Sequence, residues 1–231
     1  MSDIMMLIAL LMTIICSPGC ERESLAHIKT HVSNGTFSLG EQTWMIKPLA
    51  KTHFNNGDSI PQAQSNSAWE KAGELKIPAW CYVEGTDDRY ILYNWYAISD
   101  SRGLVPKGWH LPSYEEIQYL IKILYTVNHL KAADYDLNNA YPSGDRHLHF
   151  YKPEIEVTYS FPVQYPGHRF GNGKMTKLDT VSIGWTSEAP EPETGYIPCY
   201  VQTIDRKQVF SMAAHPANGI SVRCIKNVAS H

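Results

Sequence analysis

The sequence predicts an α+β domain, and three observations carry that prediction. Near its start two strand-period segments flank a glycine, in the middle one helix is marked by its own capping residues, and the second half is a series of short apolar runs broken by glycine. Helices grouped early and strands grouped late suit layers of α and β rather than an alternating βα repeat. The composition supplies a core for such a domain: 43% of the 231 residues are hydrophobic, with 14 Tyr and 6 Trp. Charge is close to balanced, 20 Lys and Arg against 23 Asp and Glu for a net −3, so no global field draws the chain to nucleic acid.

Residues 4–15 form an almost unbroken apolar run followed by Cys16, Ser17, Pro18, Gly19 and Cys20. The run falls short of the ~20 residues needed to span a bilayer but fits the apolar region of a secretory signal. Gly19 directly before Cys20 resembles the bacterial lipobox, in which the cysteine is acylated after cleavage and becomes the new N-terminus. Ser17 departs from the aliphatic residue usual at that place, and the first three residues lack Lys and Arg. Cys16 is a competing acceptor with a poor cleavage residue, Ile15, before it; an uncleaved anchor or a buried N-terminal helix are the alternatives. The expectation is a lipoprotein signal peptide over 1–19, a polar tether over 20–34 and a domain over 35–231. A lipid at Cys20 would be its only hold on the membrane, at the bacterial outer membrane on its periplasmic or outer side.

Within the domain, Thr36 to Leu39 and Gln42 to Ile46 alternate in apolar and polar character around a turn at Gly40, which predicts a hairpin with Trp44 in the core. Residues 55–67, rich in Asn, Gln, Ser and Gly, read as a long surface loop. An aromatic strand follows over 77–83, and Leu92, Trp95, Tyr96 and Ser99 fall at helical spacing. Ser113 and Glu116 form a capping box worth ~1 kcal/mol, and Ile117, Leu120, Ile121 and Leu124 give the helix behind it one apolar stripe. Glu115 and Glu116 are better explained as first-turn carboxylates facing the helix dipole than as an acid–base pair. Trp95 and Trp109 are expected in the core. Strands are expected over 161–165, 167–173, 184–188, 197–204, 208–213 and 219–226.

No chemistry-bearing motif emerges. The chain has no Gly-x-Ser-x-Gly, no phosphate-binding loop, no His-Glu-x-x-His and no Cys-x-x-Cys. His27 with His31 and His147 with His149 stand at spacings that share a helix or strand face, but no third ligand is identifiable, so neither pair predicts a metal. No cofactor is expected.

In order along the chain, several segments resemble the Fibrobacter succinogenes major paralogous domain. They are Gly-Glu-Gln-Thr-Trp-Met at 40–45, Ser-Ala-Trp at 67–69, Pro-Ala-Trp-Cys-Tyr at 78–82 and Leu-Tyr-Asn-Trp-Tyr-Ala at 92–97. After them come Gly-Leu-Val-Pro-Lys-Gly-Trp-His-Leu-Pro-Ser at 103–113, Pro-Gly-His-Arg at 166–169, Trp-Thr-Ser at 185–187 and Gly-Ile-Ser-Val-Arg-Cys at 219–224. The resemblance covers almost all of the expected mature chain. Residues 83–89 and 128–159 depart from it, and loops that vary on a shared scaffold are where specificity resides.

This resemblance implies a C-type-lectin-like fold with paired terminal strands, two helices and a second sheet under long loops. It also implies a non-catalytic module that binds glycan or an envelope or surface protein, with a purely structural envelope role as the alternative. The Leu-Pro-Ser-x-x-Glu segment at 111–116 is similar to one in the formylglycine-generating enzymes, the runner-up class, which act through a cysteine pair; Cys199 and Cys224 stand here without that local context. Glu191-Pro192-Glu193 resembles a lectin calcium-and-sugar loop, but no Trp-Asn-Asp follows it. Of the three cysteines after Cys20, at least one cannot pair within a monomer. The implied fold favours a Cys81–Cys224 disulfide over Cys199–Cys224. A ligand face over 128–169 and 185–196 would gather Tyr159, Tyr165, His168, Arg169 and Trp185, rings for sugar C–H faces and donors for hydroxyls. Against that, Arg169 and Trp185 can instead be framework residues that hold the glycine-rich strands together.

Overall fold

The computed structural model describes residues 30–83, 90–127, 167–176, 181–203 and 209–227. It is a mixed α+β fold of short antiparallel strands, several open sheets and a few helices.

The expected hairpin is present. Strands β1 (Thr30–Ser33), β2 (Thr36–Leu39) and β3 (Gln42–Met45) pair antiparallel, with Phe37 opposite Trp44. Alternation puts Phe37, Leu39, Gln42 and Trp44 inside, and Gly40 turns the chain at a φ of 59°. A side chain at Gly40 would also run into Tyr119 and Ile123, so the turn needs glycine for space as well as conformation. The last strand, β12 (Ile225–Lys226), joins β3 on one side and the two-residue β6 (Trp109–His110) on the other. Both ends of the described domain thus close in one five-stranded sheet.

The expected long loop ends in a helix, α1 (Asn66–Glu74). Ser65 caps it by accepting from the Ala68 amide, while Trp69, Ala72 and Gly73 form a narrow buried stripe. Only three inward residues on an otherwise polar segment made it read as loop. Strands β4 (Trp80–Tyr82) and β5 (Ile91–Tyr93) form a two-stranded ribbon, and the short helix α2 (Trp95–Ile98) starts at Asn94, one turn later than Leu92, which lies in β5. Helix α3 (Tyr114–Val127) carries the capping box as expected: the Ser113 amide donates to Glu116 Oε2 at 2.8 Å, and the Glu116 amide to Ser113 Oγ at 3.1 Å. Its stripe of Ile117, Leu120 and Ile121 packs on Phe37, Leu39 and Trp44.

The second half contributes β7 (His168–Arg169), β8 (Met175–Thr176), β9 (Val181–Trp185), β10 (Ile197–Thr203) and β11 (Val209–Ala214). β10 is the centre of an antiparallel trio with β9 and β11. Its partner glycine Gly184 leaves room for the Tyr200 ring. Residues 219–221 do not form the long strand expected. They are a seam instead, bridging Arg169, Tyr93 and Gly184 in turn and so joining three separate ribbons. The largest core cluster lies behind that seam, with Trp80, Trp95, Trp185, Tyr93, Ile220 and Val222 among its members; Trp109 packs against its edge, half-buried rather than in the core as expected.

The expected disulfide is not formed, and Cys81, Cys199 and Cys224 are buried cysteines. Alternation along β4 sends Trp80 to the central cluster and Cys81 to the cluster beneath α1, which separates Cys81 from Cys224. Cys199 and Cys224 lie among apolar side chains of the central cluster, where burial pushes the Cys224 thiol up to about 12 and the Cys199 thiol far above its ordinary value. Both thiols stay protonated at neutral pH.

Candidate functional site

Of the residues that the sequence offers as a ligand face, Tyr159 and Tyr165 lie outside the described residues, as do Cys20, His27, His147 and His149. The other three belong to different environments. Arg169, on β7, is 1% exposed. Its guanidinium donates to Gly173 O, Ala63 O, Gln64 O and Asn66 Oδ1 at 2.8–3.0 Å, and it lies 5.1 Å from the Trp69 ring centroid. A cation so thoroughly hydrogen-bonded inside the fold ties the β7–β8 hairpin to the entry of α1 and has no donors left to face a ligand. Trp185 is likewise internal: its indole N–H donates to Tyr93 O at 2.9 Å and its ring packs against Trp95 at 5.5 Å. Arg169 and Trp185 are framework, which corrects the ligand-face expectation for both.

His168 remains near the surface, half-buried beside Thr176 Oγ1 at 2.9 Å. Burial lowers its pKa, which keeps it neutral at neutral pH. Its ring meets Phe170 edge to face at 4.6 Å, and Phe170 is 42% exposed.

Phe170 leads into a surface groove that the sequence did not reveal. The groove, of about 330 Å³, is lined by Glu70, Gly73 and Glu74 of α1, by Gly171 and Asn172 of the turn between β7 and β8, and by His215 and Ala217 of the loop after β11. A second aromatic pair stands at its other lining loop, where Tyr196, 41% exposed, meets His215 edge to face at 5.7 Å. Four large hydrophobic side chains are conspicuously exposed among the described residues, and two of them flank this groove.

The three walls are fixed to one another by hydrogen bonds that pass beneath them. Trp69 Nε1 of α1 donates to Ala217 O at 2.9 Å, and the Gly171 amide donates to Asn218 Oδ1 at 3.0 Å. Arg169 links the turn at Gly173 to Asn66 at the start of α1. The floor is made of small residues in close approach: a Cβ at Gly73 would stand 2.7 Å from that of Ala217, and one at Gly171 would stand 3.2 Å from it. His215 Nδ1 accepts from the Ala217 amide at 3.2 Å, which leaves its Nε2 as an outward donor. A rigid, shallow site with ring faces, carboxylates and one donor suits non-covalent recognition of a polyhydroxylated ligand.

The Leu-Pro-Ser-x-x-Glu segment is accounted for structurally. Glu116 Oε1 meets His110 Nε2 at 2.7 Å while Oε2 holds the Ser113 amide, His110 Nδ1 meets Asn227 Oδ1 at 2.7 Å, and Glu188 reaches across to the Tyr114 amide at 2.8 Å. Every one of these groups satisfies a helix end or a sheet end. No group of three His, Cys, Asp or Glu among the described residues could hold a metal ion, and no helix there is long and apolar enough to cross a membrane.

A family model described as Fibrobacter succinogenes major domain matches residues 37–226. No curated protein and no solved structure matches the chain.

Proposed function

The chain belongs to the Fibrobacter succinogenes major domain family, and from that premise we propose that it is a lipid-tethered, non-catalytic binding module of the cell envelope that recognises glycan through the groove between α1, the β7–β8 turn and the loop after β11. The observation that carries this reading is the pair of exposed aromatic–histidine contacts flanking the groove, Phe170 with His168 and Tyr196 with His215. Exposed rings are hydrophobic surface left in water unless something covers them, and the apolar C–H face of a sugar is the partner they fit while Glu70, Glu74, Asn172 and His215 meet its hydroxyls.

The non-catalytic part of the reading is supported by the state of the cysteines. An attacking thiol must ionise readily, and Cys199 and Cys224 are buried with their pKa values raised. A C-type-lectin-like architecture is supported by the pairing of β3 near the start with β12 near the end. The apolar run before Cys20 supports the tether.

A glycan array probed with the detergent-solubilised full chain tests the binding reading. Binding that Phe170→Ala with Tyr196→Ala abolishes, in a variant that melts like the parent, is the expected result; binding unchanged in that variant rejects this groove. Binding to no glycan by the parent favours a structural envelope role. Membrane fractionation tests the anchor, since Cys20→Ser is expected to release the protein and unchanged fractionation would reject lipidation there.

A further inference from the structure

Resting on the glycan reading, we infer that the groove selects a sugar bearing a free amino group, with Glu70 and Glu74 as the residues that set that preference. Three features of the molecule converge on it.

The two carboxylates line the groove on one wall, four residues apart on α1, where like charges repel. They also stand toward the C-terminal end of the helix, whose dipole presents partial negative charge and favours cations. Neither carboxylate is hydrogen-bonded or ion-paired to another described residue. Lys71 is the basic residue of the last turn, but one and three positions away it does not bridge the pair as an intervening cation. The arrangement is therefore unfavourable in the free protein and is relieved by an ammonium placed between the two oxygens.

The remaining lining excludes a simple solvated acidic face. Glu70 and Glu74 overlook a floor of Gly73, Gly171 and Ala217, held in fixed relation to the carboxylates by the Trp69–Ala217 and Gly171–Asn218 hydrogen bonds. A sugar ring packed near Tyr196 and Phe170 would bring a ring substituent to that wall, and cations are further favoured by the electron-rich faces of those rings. Replacing the amine by an acetamide removes the charge and adds bulk over a floor with no depth to spare.

The test compares oligomers of glucosamine, the same oligomers N-acetylated, and glucose oligomers of matched length, titrated against the full chain in detergent at low and at high salt. Glucosamine oligomers are expected to bind roughly tenfold or more tightly than either comparator, with the margin shrinking in salt, because a charge-assisted hydrogen bond is the difference between them. Glu70→Gln with Glu74→Gln is expected to erase that margin while binding of glucose oligomers persists and the melting temperature holds or rises, since a repulsive pair has been removed. Equal binding of all three oligomers, or a margin that survives the double substitution, overturns the amine preference and leaves the glycan reading intact. A fall in melting temperature also overturns it by showing that the carboxylates hold the fold. Failure of every oligomer to bind, alongside a blank array, removes the glycan reading itself.

Discussion

The start of α3 and the entry to α1 solve the same problem by opposite means. Each must satisfy polar groups near a helix N-terminus. At α3 the partners are three residues apart, Ser113 and Glu116, and each meets the other's amide. At α1 the local cap, Ser65 to the Ala68 amide, is supplemented by Arg169, which arrives from more than a hundred residues away to hold Ala63 O, Gln64 O and Asn66 Oδ1. The first device is local and its loss removes one cap. The second is buried and binds three stretches of chain, so its loss strands several acceptors together.

The largest effect expected from that contrast is at Arg169. Arg169→Met is expected to destabilise by on the order of 3–5 kcal/mol in chemical denaturation, because carbonyls buried around the guanidinium lose their donors. Arg169→Lys is expected to recover only part of it, since a point ammonium cannot serve four acceptors spread around a planar fork. A loss below ~1 kcal/mol for Arg169→Met would show that the two helix entries are not so different after all.

Next come the tryptophans of the central cluster. Trp95, 8% exposed and packed on Trp185, is expected to cost ~3–5 kcal/mol as Trp95→Ala, while Trp109→Ala is expected to cost clearly less because its ring is half-buried at the cluster's edge. Equal shifts in denaturant midpoint would contradict the burial difference. Ser113→Ala is smaller again at ~1 kcal/mol. Ser65→Ala tests whether α1 needs its own cap while Arg169 is present: an effect smaller than that of Ser113→Ala is expected.

The smallest effect at neutral pH is that of the thiols. Reductant is expected to leave the melting temperature unchanged, and mass-shift labelling is expected to find Cys81, Cys199 and Cys224 reactive only after unfolding. The native state keeps protons on Cys199 and Cys224 that the unfolded chain releases above about pH 9, so their contribution is complete below that pH and is lost as pH rises toward the folded value of about 12 for Cys224. A stability profile flat between pH 9 and 11 would contradict their burial.

Legibility in the sequence follows the range of each interaction. The β2–β3 hairpin, the capping box and the stripe of α3 were readable because alternation, turn glycine and cap residues lie within a few positions of one another. Helix α1 was missed although Ser65 and the Trp69, Ala72, Gly73 stripe could have signalled it, because its other faces are polar enough to read as loop. The ribbons of the second half were found as short apolar runs, but the seam at 219–221 that joins them was not, since single bridges have no periodicity of their own.

By itself, then, the sequence determined the class of fold, the family, the hairpin, the cap of α3 and most of its apolar core, all of which are set by side-chain pattern and local hydrogen bonding. Only the tertiary structure decided that Arg169 and Trp185 face inward and that Cys81 and Cys224 lie in different core layers. It alone brought Glu70, Phe170, Tyr196 and His215, from four separate segments, around one groove. The physical reason is that each of these outcomes depends on which surfaces meet after long loops close. Such contacts leave no fixed spacing in the chain, because the loop-closure cost between them grows only slowly with length.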